Sequence, residues 1–211
     1  MKRKKLRIGV FGGCFDPIHL GHLLVAEDVF RQLKLDRLLF IPSFQPPHRP
    51  APVAPYPHRA AMVELAIKYH PQFVLSRIEE NDPGPSYTIN TLRSLKRLFP
   101  GYLIYLIVGY DQYRTIKTWH QSSELTKLAR LVVISRPNIK RPARFAGHAP
   151  NRVIFLKVIP VAIAAAQIRQ RLASRMSIRY LVPTAVAQYI YHHRLYLIKK
   201  NSSTKQRRQY V

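Results

Sequence analysis

The stretch YLIYLIVG, residues 102–109, shows no alternation of polar and apolar residues, so a strand built from it must be covered on both faces. Further strand patterns fall at 6–11, 37–42, 73–78, 130–137 and 152–160. Helical spacing fills the intervals, as in Leu23, Leu24, Ala26, Val29, Phe30 and Leu33. Helices are expected over 20–33, 58–69, 88–98, in turns up to 128, and over 164–173 and 183–193. Buried strands alternating with helices point to an α/β fold with a doubly wound parallel sheet. In such sheets a ligand lies beyond the carboxyl ends of the strands, where the strand order reverses. Polar clusters follow Phe11, Ile41, Ile78, Val108 and Ile134, so five loops are expected to converge on one site.

A chain of 211 residues, 47% of them apolar, suits one domain with a real core. We assign that domain to residues 6–196 and read residues 197–211 as a basic, unstructured tail. A single cysteine, Cys14, excludes an internal disulfide and fits a reducing, cytoplasmic setting. The six uncharged residues between Arg7 and Cys14 are too few for a signal peptide. The longest apolar runs reach only about half a membrane span, so no membrane segment is expected. The formal charge of +25 is uneven: residues 125–211 hold 18 Lys or Arg and no acid. Such a surface attracts anions of any kind, nucleotides, nucleic acid and acidic lipid included. Compositional bias explains the charge as well, and no specific nucleic-acid partner is expected. Oligomeric state is not legible.

The densest chemistry is GGCFDPIHLGH, residues 12–22, between the first strand and the first helix. A strand, a tight Gly-Gly turn and a helix N-terminus gather backbone N–H groups and the positive end of a helix dipole, which suits a phosphate. The dinucleotide fingerprint and the P-loop pattern are both absent. His19 sits at the helix mouth and His22 one turn later on the same face, so two imidazoles can donate to phosphoryl oxygens. Asp16 and Pro17 shape the turn. Zinc is the weaker reading, since no nearby Cys or carboxylate completes a ligand set. Downstream, seven prolines between Pro42 and Pro57 make a long, stiff loop of the kind that covers a site.

This motif resembles the signature of the H-x-G-H nucleotidylyltransferases, whose fold is Rossmann-like. The segments FIPSFQPPHR, HRAAMVELAI, GPSYTINTL, IVGYDQYRTIKTW, LVVISRP and IRYLVPTAVAQYI are similar to the bacterial nicotinate-nucleotide adenylyltransferases and cover nearly the whole chain in order. The resemblance implies transfer of AMP from ATP to nicotinate mononucleotide, with magnesium accompanying ATP. It implies that His19 and His22 are catalytic and contact the ATP phosphates, with Gly12, Gly13, Arg49, Asp111, Ile168 and Arg169 also on ATP. Cys14, Phe15, His48, Tyr87, Thr88, Trp119 and Arg136 fall to the mononucleotide, and the backbone of residues 12–15 lies between the two nucleotides. Asp111 would hold ribose or the metal-side network. Trp119 would stack on the pyridine ring, a cation for which indole is the best aromatic partner.

Two departures stand out. Arg49 replaces the family's lysine, a planar fork in place of a point charge. Ala164, Ala165 and Ala166 replace three hydroxyl residues that would cap a helix and donate to phosphate, while Ile163, Ile168 and Arg169 are kept. These leave two alternatives open. One is a sister enzyme with another acceptor, such as phosphopantetheine; the other is a non-catalytic homologue that binds nucleotide or polyanion.

Overall fold

The computed structural model describes residues 5–47, 50–80, 84–135, 139–145 and 147–197. Six strands form one sheet: β1 (Arg7–Gly13), β2 (Arg37–Pro42), β3 (Phe73–Leu75), β4 (Leu103–Gly109), β5 (Arg130–Ile134) and β6 (Val153–Leu156). Their order is β3-β2-β1-β4-β5-β6 and every pairing is parallel. From β1 the chain steps outward to β2 and β3, then returns to place β4 on the other side. The strand order therefore reverses between β1 and β4.

Seven helices pack on the two faces: α1 (Leu20–Gln32), α2 (Tyr56–Ile67), α3 (Thr88–Leu98), α4 (Tyr110–Arg114), α5 (Ser122–Leu128), α6 (Ala165–Ala173) and α7 (Thr184–His192). Successive strand residues point to opposite faces, and the two cores follow that period. Phe11, Leu38, Phe40, Tyr105, Ile107 and Val132 join α1, α2, α6 and α7. Val10, Leu39, Ile41, Leu106, Val108 and Val133 join α3, α4 and α5. Sheet and helices together make one α/β domain with both faces covered, as the unbroken apolar strands require.

Several boundaries differ from expectation, among them α2, which runs from Tyr56 to Ile67, and β5, which ends at Ile134. Gly12 and Gly13 pair with Ile41 and Pro42 as the end of β1, so the turn comes after the Gly-Gly pair rather than at it. β3 stops at Leu75, where the Ser76 N–H makes the last bond to the Phe40 carbonyl of β2, and β6 stops at Leu156, whose carbonyl accepts from the Ser135 N–H. Of the 197–211 tail only Leu197 falls within the described residues.

Candidate active site

A cavity of ≈ 300 Å³ opens at the reversal point, against the carboxyl ends of β1 and β4. Gly12, Gly13 and Cys14 form one wall, Tyr87, Thr88 and Thr91 of the α3 entrance a second, and Trp119 and His120 a third. Four of the five expected loops contribute; the loop after β5 adds nothing among the described residues. Trp119 is half-buried, with one part of the indole on the core and another on the cavity. The His120 ring leans on Tyr87 at 4.5 Å between centroids.

The proline-rich loop is tied down at both ends. At its start, the Phe44 and Gln45 N–H groups donate to Ser86 Oγ at 3.1 and 3.0 Å, and the Ser86 N–H returns a bond to the Gln45 carbonyl. Glu79 accepts from Thr91 Oγ1 at 2.7 Å and from the Phe44 N–H at 3.4 Å, which joins α3 to the same loop. At its end, the Val53 and Ala54 N–H groups donate to the Asp16 carboxylate at 2.8 and 3.1 Å. Pro46 and Pro47 thereby become part of the cavity wall.

Behind Gly13 the site continues away from the cavity. A Cβ on Gly13 would stand 3.4 Å from Phe15 Cζ, and the Phe15 ring meets His22 edge-on at 5.1 Å. His22 stacks on His19 with centroids 3.6 Å apart. The His19 N–H donates to His22 Nδ1 at 3.3 Å, so the neutral His22 ring carries its proton on Nε2 and donates from that edge. Gly21 is small for a reason: a Cβ there would lie 3.1 Å from His19 Nδ1 and 3.3 Å from Val161 Cγ1. The segment leading to α6 thus passes directly against the histidine pair.

Several expected roles change. Phe15 is 2% exposed, so its ring is core and only its backbone can face a ligand. Ile168 is fully buried and its N–H bonds to the Ala164 carbonyl, as helical spacing with Leu172 dictates, so its side chain packs in the core. The α1 entrance is less open than its dipole suggests, because the Leu20 N–H is engaged by the Leu181 carbonyl. Arg169 donates to the Asp16 carbonyl at 2.7 Å, which brings α6 onto the β1–α1 loop. Asp111 is exposed in the first turn of α4, outside the cavity wall. His48, Arg49 and Arg136 lie outside the described residues. Sequence reasoning missed Glu79, Ser86, Gln112 and His120 as wall residues; the available signal was their polar character within or near the SYT and Gly109–Trp119 segments.

Among the described residues no helix is long and apolar enough to cross a membrane. The sequence profile of the Cytidylyltransferase-like family matches residues 10–208. A probable nicotinate-nucleotide adenylyltransferase of Thermus thermophilus is 46% identical over 191 residues, which is 90% of this chain and 100% of that protein. One from Thermomicrobium roseum is 42% identical over 195 residues, covering 90% of this chain and 91% of its own. The structure of Plasmodium falciparum nicotinic acid mononucleotide adenylyltransferase complexed with NaAD superposes with a TM-score of 0.75 at 18% identity, over 90% of this chain and 97% of that one. Fold, motif order and full-length identity agree, and the chain belongs to the Cytidylyltransferase-like family and, within it, to the nicotinate-nucleotide adenylyltransferases.

Proposed function

We propose that the protein transfers AMP from ATP to nicotinate mononucleotide, releasing pyrophosphate and forming the deamido dinucleotide. The observation that carries the reading is the unbroken series of contacts from the cavity through Gly13, Phe15 and His22 to His19. It offers a slot for a planar ring on one side of a glycine backbone and a pair of imidazole donors on the other.

The pyridinium ring occupies the cavity against Trp119, held by cation–π attraction. Its carboxylate sits at the entrance of α3, where the first N–H groups have no carbonyl one turn back and the dipole favours an anion. Tyr87 turns its own N–H to the Pro85 carbonyl and the Asn90 and Thr91 N–H groups bond to the Tyr87 carbonyl, which leaves this recognition to the N–H groups of Thr88 and Ile89. The phosphate of the mononucleotide attacks the α-phosphorus of ATP. A new P–O bond forms and the α–β anhydride breaks, so pyrophosphate carries the displaced charge. No covalent enzyme intermediate is needed, since the attacking phosphate is already ionised. The work of the protein is alignment and neutralisation. His22 Nε2–H donates to the phosphate oxygens on which charge builds, and Arg169 adds positive potential from α6.

Magnesium belongs to this reading as the companion of ATP. Among the described residues no group of three or more His, Cys, Asp or Glu could hold an ion, and Mg²⁺ commonly binds substrate phosphates with only one or two carboxylates. Asp111 is the residue that would face it, and the ion would neutralise charge on the triphosphate. The lone cysteine and the substrates suit a cytoplasmic setting.

Pyrophosphate release with ATP and either nicotinate mononucleotide, its amide or phosphopantetheine tests the assignment. The acid is expected to exceed the other two in kcat/KM and, alone among them, to quench Trp119 fluorescence strongly. Release no faster with the acid than with ATP alone would overturn it.

A further inference from the structure

Phe15 has φ 47°, a left-handed conformation that a bulky residue rarely adopts and that persists only where its neighbours hold it. Both neighbours are held. On one side, Arg59 donates from Nη1 to the Cys14 carbonyl at 2.7 Å and from Nε to the Ala54 carbonyl at 3.0 Å. Arg59 is only 1% exposed, so a charged group has been buried where its donors meet backbone oxygens of two loops.

On the other side, the Asp16 carboxylate is 6% exposed and accepts three bonds. The Val53 and Ala54 N–H groups supply two at 2.8 and 3.1 Å, and the Tyr196 hydroxyl donates the third at 2.7 Å. Arg169 stands 3.8 Å from the same carboxylate. Tyr196 lies beyond the last helix, yet its hydroxyl closes onto the loop that follows the first strand. Burial and the charge of Asp16 push the Tyr196 hydroxyl well above the usual tyrosine range, so it stays a donor throughout the working pH range.

We propose that Tyr196 and Arg59 are positioning residues for nucleotidyl transfer, latching Asp16 and Cys14 so that Phe15 is fixed between them and its ring orients His22. This inference rests on the proposed adenylyl transfer. Its physical path is short. Tyr196 meets Asp16, the backbone passes to Phe15, and the Phe15 ring meets His22 edge-on at 5.1 Å. Neither Tyr196 nor Asp16 lines the cavity, so loss of their bond acts on the phosphate side and spares the pyridine side, whereas Arg59 holds Cys14, which is a cavity wall.

The test is Tyr196→Phe in the full chain, with Arg59→Lys as a second, conservative change. Four quantities are read: kcat, KM for each substrate, Trp119 quenching by nicotinate mononucleotide, and the imidazole ¹⁵N signature of His22. Loss of a hydrogen bond to a charged group predicts a fall in kcat of about tenfold for Tyr196→Phe. KM for the mononucleotide and the quenching curve are expected to stay at wild-type values, while the His22 signature shifts away from an Nδ1 acceptor. Arg59→Lys, which keeps the charge but cannot span both the Ala54 and the Cys14 carbonyls, is expected to lower kcat less than Tyr196→Phe does. Unchanged kcat and an unchanged His22 signature at a temperature where both proteins are folded overturn the latch. So does a loss of turnover matched by an equal loss of quenching, which is general loosening. A wild-type protein without turnover sinks the adenylyl transfer itself, and the His22 signature then still decides the latch.

Discussion

His22 braces His19 at the entrance of α1, and in the proposed transfer it is also a donor to phosphate. Its Nδ1 accepts a hydrogen bond from the His19 N–H at 3.3 Å while its ring stacks on His19 at 3.6 Å, so one side chain caps α1 and its Nε2 edge is left to donate. Removing it therefore costs a donor to transition-state charge and a weak cap. His22→Ala is expected to lower kcat by roughly 10²-fold or more, the usual cost of deleting one such donor. His19→Ala is expected to lower kcat less and thermal stability more, since His19 is 6% exposed and packed in the loop. Pyrophosphate-release kinetics and melting curves on both variants check the split; near-normal turnover in both would return the pair to a structural role.

Gly21 gives a cleaner separation of geometry from stability. Alanine is favoured over glycine within a helix by up to about 1 kcal/mol. A Cβ at this position, however, meets His19 Nδ1 at 3.1 Å, His19 Cε1 at 3.2 Å and Val161 Cγ1 at 3.3 Å. Each neighbour must give by a few tenths of an ångström, and His19 carries its partner His22 with it. Gly21→Ala is expected to lower kcat about tenfold, because small misplacements of reacting groups are costly. The melting temperature is expected to move by less than about 3 °C, propensity offsetting crowding. Unchanged turnover would mean that the pair tolerates displacement.

What the sequence reveals here is set by the range of the interaction. The succession of strands and helices and the β1–α1 motif follow from local pattern, because a strand such as β4 must be apolar on both sides wherever it lies. The meeting of Gly13, Tyr87 and Trp119 in one cavity follows from the topology, which fixes where strand ends gather. Arg59 was invisible because a buried arginine inside a helix reads as solvated surface until Cys14 and Ala54 are seen around it. Tyr196 bonds across 180 residues, and Ser86 bonds a loop 41 and 42 residues away; no periodicity encodes such pairs. That the Phe15 ring lies in the core was not legible either, because Phe40 and His22, which surround it, are distant or on another element.

Acidity should loosen one specific corner. His148 is 7% exposed and takes a hydrogen bond on Nδ1 from the Tyr113 hydroxyl at 3.2 Å, while Tyr113 accepts from the Phe145 N–H. Burial, and then the charge of Lys117, holds the His148 pKa below the ordinary histidine value. Below about pH 6.5 the unfolded chain takes up a proton at this position that the folded one does not, so stability falls with falling pH. The contribution is complete above pH 6.5 and is lost as pH drops towards the folded pKa. His193, lowered by desolvation and by His192 and His58, acts in the same direction. Melting curves from pH 7.5 to 5.5 are expected to decline in the wild type and to decline less in His148→Gln. Parallel declines would place the sensitivity elsewhere.

The alanine run tests how much of the ATP site lies on α6. Ala164 is the N-cap of that helix and no side chain caps it. Its approach segment presses on Gly21 through Val161, and Arg169 on the same helix grips the Asp16 carbonyl. The α6 entrance therefore lies beside the histidine pair, even though its hydroxyls are gone. Ala164→Ser alone is expected to stabilise the protein by about 1 kcal/mol through capping, a rise of roughly 2–4 °C in melting temperature. Adding Ala165→Ser and Ala166→Thr supplies up to three donors to a charged ligand, each worth about 1.5–3 kcal/mol at most and less where water already serves. The triple variant should show a lower KM for ATP with KM for nicotinate mononucleotide unchanged, since α6 does not line the pyridine cavity. Stabilisation without any change in KM for ATP would mean that this helix entrance is turned away from the phosphates. Turnover that appears only in the triple variant would mean that the natural chain binds nucleotide without transferring it.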